Sequence, residues 1–166
     1  MPAMINHILA AQQANLAYAR KLVADLSPQQ MVAQPVAGQV MNHAAWTLGH
    51  LVMGTNFTLS FFGEKGPQVP TDWPGLFAPG KKPDSEAGRH PDKAALLAAL
   101  EAAYRRLAEV VAMVPPAKWA EPFPIEKFRS TWPTLGDGIV FMMTVHDATH
   151  LGQLSAWRRA LGLAAV

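Results

Sequence analysis

Thr134–Gly162 reads TLGDGIVFMMTVHDATHLGQLSAWRRALG, and within it Ile139, Met143, His146, His150, Gln153, Trp157 and Ala160 recur in alternating steps of four and three. That rhythm predicts the inward stripe of a bundle helix. Thr134 with Asp137 resembles a capping box at its start, and Arg158, Arg159 and Gly162 supply a basic last turn and a glycine stop. Two histidines, His146 and His150, fall on the stripe. Residues four apart on a helix stand one above the other, about 6 Å along the axis, so both rings can converge on one metal ion.

Three earlier segments share this rhythm. Ala3 to Leu26 carries Ile5, Leu9, Leu16, Ala19, Val23 and Leu26, interrupted by Gln12. Asn42 is a suitable N-cap for a second helix from His43 to about Phe62, on which His43, Thr47, His50, Gly54, Phe57 and Phe61 share a face. A third, with Pro91 at its first position, carries Leu97, Leu100, Tyr104, Leu107, Val111 and Val114, and Pro115-Pro116 stops it. Glu101 and Glu109 lie off that stripe and suit solvated pairing with arginines such as Arg105. With no internal repeat and no convincing strand, the expected fold class is all-α, a four-helix bundle.

Between helices two and three, Gly63 to His90 contains Pro67, Pro70, Pro74, Pro79 and Pro83, which exclude a continuous helix. A connection longer than about 15 residues is commonly functional or disordered, and it lets the next helix run parallel to the last. Trp73 and Phe77 within it are expected to anchor the loop to the core rather than to act as a lid. A second irregular stretch, Pro115 to Pro133, holds Trp119, Phe123, Phe128 and Trp132. Packing over the bundle end is the plainer reading of these aromatics; roofing a pocket or forming a subunit contact are the alternatives.

Composition bounds what such a bundle does. The 166 residues suit one domain over 1–166 with a single core. Hydrophobic residues make up 50% and charged ones 16%, leaving apolar surface for a subunit contact such as a homodimer's. A net charge of +2, with its charges scattered, gives no basic stripe for nucleic acid. There is no cysteine, so any metal is held by nitrogen and oxygen. Met1 to Ala24 lacks the pattern of a signal peptide and no segment reaches the roughly 18 apolar residues of a membrane span, so cytoplasm is the expected location and no membrane partner is expected.

If helices two and four are neighbours, His50, His146 and His150 meet in the core. Three neutral imidazoles bind a divalent first-row ion and leave a coordination position open, the arrangement of a catalytic site rather than a closed structural one. The alternative is three core histidines that are merely hydrogen-bonded, for which the polar neighbours on the stripes are few, chiefly Gln153 and Thr47. His43 lies about two turns, roughly 10 Å, from His50 and is a poor co-ligand. His7 and His90 read as solvated residues. His146-Asp147-x-x-His150 also differs from the zinc-protease pattern by one methylene, but the chain after His150 offers no third ligand. A di-iron carboxylate bundle lacks its facing glutamates. Asp147 points off the stripe and is assigned no role.

The run His146-Asp147-Ala148-Thr149-His150-Leu151-Gly152-Gln153-Leu154, followed by Trp157-Arg158-Arg159-Ala160-Leu161-Gly162, resembles the closing signature of the DinB-like family of metalloenzymes. Trp46-Thr47-Leu48-Gly49-His50-Leu51 is similar to the family's segment carrying the first histidine. The resemblance implies an up-down-down-up bundle and a metal held by His50, His146 and His150, with zinc or nickel the usual ions. It further implies a small-molecule substrate, and as activities a thiol-dependent transferase using a low-molecular-weight thiol, or a hydrolase using metal-bound hydroxide. A non-catalytic, stress-related binding or dimerisation module of the same fold is the competing expectation.

Overall fold

The computed structural model describes residues 2–166, with side chains from residue 4 onward. Four long helical stretches form the body. They are α1 (Pro2–Val23), α2 (Ala44–Ser60), α4 (Lys93–Met113) and a last one made of α6 (Leu135–Val140), a π-helical segment (Phe141–His146) and α7 (Asp147–Ala160). Short helices α3 (Trp73–Phe77) and α5 (Pro116–Trp119) lie in the two proline-rich connections. There is no strand among the described residues, and the chain is all-α.

The helix boundaries follow side-chain chemistry, and two differ from the sequence expectation. His43, rather than Asn42, caps α2: its Nδ1 accepts from the Trp46 N–H at 3.1 Å while its Nε2 meets the Asp84 carbonyl at 2.8 Å. A carbonyl can only accept, so Nε2 carries the proton and Nδ1 keeps the lone pair that caps the helix. The neutral ring serves both contacts. At α4, Asp92 is the cap, accepting from the Ala95 N–H at 2.7 Å, so Pro91 precedes the cap instead of opening the helix. The capping box of Thr134 and Asp137 is present, as is the glycine stop, with Gly162 at φ 75°.

Packing joins α1 to α4 and α7, and α2 to α4 and α7. Lys93 at the start of α4 donates to the carbonyls of Ala24 and Leu26 just past the end of α1, at 2.8 and 2.9 Å. Further along, Arg20 pairs with Glu101 at 2.6 Å. Glu109 pairs with Arg106, not with Arg105. Arg158 on α7 is buried, gripping both carboxylate oxygens of Asp25 at 2.6 and 3.1 Å and donating to the carbonyls of Leu22 and Ala164. These bonds fix the far ends of α1 and α7 together. Trp73 and Phe77 are buried, so the long connection is anchored to the core as its aromatic content suggested.

The last helix departs from its predicted register. Its buried positions are Leu135, Gly138, Ile139, Met143, Asp147 and Leu151, then Leu154, Trp157 and Arg158. Gln153 and Ala160, placed on the stripe by the sequence pattern, are exposed, and His146 and His150 are half-buried at its edge. At 100° per residue, four successive steps of four drift by about 160°, which would carry Leu151 to nearly the opposite side of a straight α-helix from Leu135. The wider π turns at Phe141–His146 take up part of that drift. As a result Asp147 faces the core and the two histidines face the rim of the α2 contact.

Candidate metal centre

His50 comes from the middle of α2, where nearly every side chain from Ala44 to Val52 is buried. The residue is 6% exposed and its ring lies flat on Trp46, with centroids 4.5 Å apart and planes 9° apart. Its Nδ1 meets the Phe77 carbonyl at 2.8 Å. That contact depends on Gly49, because a Cβ there would lie 2.5 Å from the Phe77 ring. Gly49 therefore lets the connection press onto α2 and brings the orienting carbonyl to His50.

His146 and His150 project from the π segment and from α7. Their rings lie 5.4 and 4.6 Å from that of His50, and 4.6 Å from one another. One ring nitrogen from each of the three comes within 4.8 Å of the others. His146 Nδ1 lies 3.4 Å from Asp147 Oδ1, and His150 Nδ1 lies 3.0 Å from Gln153 Oε1. In all three rings the Nδ1 side is thus engaged, by a carbonyl, a carboxylate and an amide oxygen. Each Nε2 is left for a ligand.

Electrostatics favour the neutral, ligating form. Burial holds the pKa of His50 below its usual value, and burial, reinforced by the neighbouring His50 and His146, brings that of His150 down to about 4. Imidazole must be neutral to bind a metal, so the lowered pKa values of His50 and His150 favour ligation by those two rings. Beneath them, Asp147 is 3% exposed and accepts the Tyr104 hydroxyl at 2.5 Å through Oδ2. Burial raises the Asp147 carboxyl above the ordinary range, with the contacts from His146 and Tyr104 opposing the rise. Tyr104 is pushed well above the usual phenol range, first by its own burial and then by the Asp147 charge, so it remains a donor.

The donor set fits a divalent first-row ion: three imidazoles, no thiolate, and outer nitrogens held by oxygen acceptors as metal-bound histidines generally are. The three histidines singled out in the sequence are thus brought together, and the others are not. His7 is exposed. His43 is buried in its capping role. His90 is half-buried with its ring 5.1 Å from that of His43, correcting its reading as a surface residue.

Two supporting residues escaped the sequence analysis. Asp147 was placed off the stripe because the π segment has no reliable signal in sequence, and Tyr104 read simply as an apolar-stripe residue of α4. In the second irregular stretch the alternative of roofing a pocket is the one the structure takes. Phe123, Phe128 and Trp132 do more than pack over the bundle end, since with His50 and His146 they line a cavity of about 420 Å³.

With this geometry in place, residues 11–154 match the DinB superfamily, and the chain belongs to that family. No curated protein matches the chain. No helix among the described residues is long and apolar enough to cross a membrane.

Proposed function

We propose that the chain is a metal-dependent enzyme in which His50, His146 and His150 hold one divalent ion, zinc or nickel, through Nε2. The observation that carries this reading is the convergence of three ring nitrogens within 4.8 Å while every Nδ1 is engaged elsewhere. A bound ion would supply Lewis acidity toward a thiol, water or carbonyl group reaching its open side. Trp46, stacked on His50, closes one flank of the site to water. Asp147 holds the His146 ring and is itself held by Tyr104.

Thiol-dependent transfer is the favoured reaction. The cavity wall carries no carboxylate, lysine or arginine, and its acid–base groups are His50 and His146 themselves. A thiol bound to such an ion would be deprotonated outright and need no separate base, whereas bound water would still have a proton to lose near neutral pH. The thiol is a low-molecular-weight cosubstrate, because the chain has no cysteine of its own. Hydrolysis is the second reading, and a non-catalytic binding module the third.

The up-down-down-up arrangement belongs to the same proposal. It is supported by the side-chain bonds that run in opposite order along α1 and α4, and in the same order along α1 and α7, where Asn15 reaches Thr144 and Asp25 reaches Arg158. A single domain over 1–166, a cytoplasmic location, a small-molecule substrate and a homodimeric state complete it.

Plasma mass spectrometry of the purified protein tests the site. Near-stoichiometric zinc or nickel is expected, lost in His146→Ala and His150→Ala and retained in His7→Ala. Equal loss in all three variants, or no uptake by the wild type after reloading, would refute the assignment.

A further inference from the structure

The cavity beside the histidines has a composition that limits what can occupy it. Its wall is built from ring on ring: Phe61 lies 5.2 Å from Phe123, Phe123 5.4 Å from Trp132, and Trp132 4.6 Å from Phe141. Phe141 in turn lies 6.4 Å from His146, so the aromatic surface runs without a break to the metal-ligating rings. Phe57 and Phe128, 49% and 37% exposed, flank its opening. No charged side chain lines it. Away from the histidines, a carboxylate or ammonium drawn inside would lose its hydration and gain no partner, which is strongly unfavourable.

Its size points the same way. An apolar cavity of about 150 Å³ already holds benzene. The 420 Å³ here leaves space for one or two rings with a substituent. Offset and edge-on contacts with the wall aromatics favour a flat π-system over a branched aliphatic one. The walls also come from separate parts of the chain, α2, both proline-rich stretches and the π segment, each of which turns apolar side chains toward the same space. Close packing enforces this, because a Cβ on Gly138 would fall 2.2 Å from the Phe123 ring, and one on Gly54 would fall 3.2 Å from His146 Cε1.

We infer that this cavity is the substrate subsite and that it takes a neutral, mainly aromatic small molecule, ring end among Phe61, Phe123 and Trp132 and one polar atom directed toward His50 and His146. The inference rests on the proposed metal centre only for the polar end; the aromatic end is a property of the cavity alone. It separates the two substrates of a transfer reaction, since a charged, hydrophilic thiol is not accommodated on this wall.

The two parts can be tested apart. Titration of metal-free protein with 2-naphthol and with 2-naphthoate, followed by calorimetry, measures the aromatic end without any ion. The neutral probe is expected to bind at least tenfold more tightly than its anionic analogue. Phe128→Asp, a change at an exposed position, is expected to weaken 2-naphthol at least tenfold with the melting temperature little changed. Equal binding of the two probes, or none of either, would overturn the inference. So would the absence of naphthol binding together with a change of oligomeric state in Phe128→Asp by light scattering, which would make the opening a contact between copies. A second titration compares benzohydroxamate with acetohydroxamate on zinc-loaded protein; the aromatic hydroxamate is expected to bind at least tenfold more tightly, and parity would overturn the inference. Zinc failing to load while 2-naphthol still binds would refute the metal centre and leave the aromatic subsite standing.

Discussion

Gly49→Ala is expected to destabilise the protein even though alanine is the better helix former. The added Cβ would lie 2.5–2.6 Å from Cγ, Cδ1 and Cδ2 of Phe77. Phe77 is fully buried and cannot swing into solvent, so α2 and the connection must move apart. Exchanging glycine for alanine inside a helix gains about 0.5–1 kcal/mol. Forcing a methyl group into a filled space costs about 1–3 kcal/mol. Displacing Phe77 also loosens its carbonyl from His50 Nδ1, at about 1 kcal/mol. The balance is a loss of about 1–3 kcal/mol.

Gly152 on α7 provides the internal control, since nothing lies within 4 Å of a Cβ placed there. Gly152→Ala should stabilise the protein by about 0.5–1 kcal/mol. Urea unfolding of both variants without metal reads the two signs directly. Chelator competition should in addition show metal affinity about 10–100-fold weaker in Gly49→Ala, because the orienting partner of His50 is disturbed. If Gly49→Ala unfolds at a higher urea concentration than the wild type, as Gly152→Ala should, the close contact between α2 and Phe77 is refuted.

Further tests address the supports of the site and of the fold. Asp147→Asn should weaken zinc binding about 10–100-fold by chelator competition while leaving circular dichroism unchanged, and Tyr104→Phe should do so less; unchanged affinity in both would remove their role in holding His146. His43 has its pKa lowered by burial to about 4 from 6.5, so the unfolded chain binds the proton more readily between those values. Its contribution is complete above pH 6.5 and is lost as the pH falls toward 4, up to about 3 kcal/mol at about 1.4 kcal/mol per unit. His43→Asn should therefore flatten the stability profile measured between pH 4 and 6.5, and an unchanged slope would contradict the capping role. Arg158→Leu should cost about 2–4 kcal/mol in urea unfolding, because it strips partners from two carbonyls and from Asp25. Asp25, whose carboxyl Arg158 holds below its usual pKa, stabilises the fold above the ordinary carboxylate range and loses that effect as the pH falls through its lowered value. Asp25→Asn should therefore lose less stability than the wild type as the pH falls below the ordinary carboxylate range, and parallel profiles would contradict this.

Much of the chain was legible from sequence because helices announce themselves locally. Spacing, caps and prolines marked the four long segments, and position on the helical stripes, together with the DinB-like segments, nominated His50, His146 and His150 from six histidines. His7 and His43 lie apart from that group, the first exposed and the second capping α2. The sequence could not say that His43 would be buried, since that depends on the Asp84 carbonyl, distant in the chain, closing over it.

By itself the sequence determined the helical class, the breaks and the three ligand candidates, all of which rest on interactions within a few residues. Tertiary structure alone decided which side of the last helix faces inward. A π turn forms where packing rewards it, here by carrying Asp147 beneath His146 and into contact with Tyr104 of α4, and a shift of about 100° per residue then moves Gln153 and Ala160 outward. The aromatic cavity was settled in the same way. Its rings belong to segments far apart in the chain, and only their assembly around His50 and His146 shows that they enclose space rather than fill it.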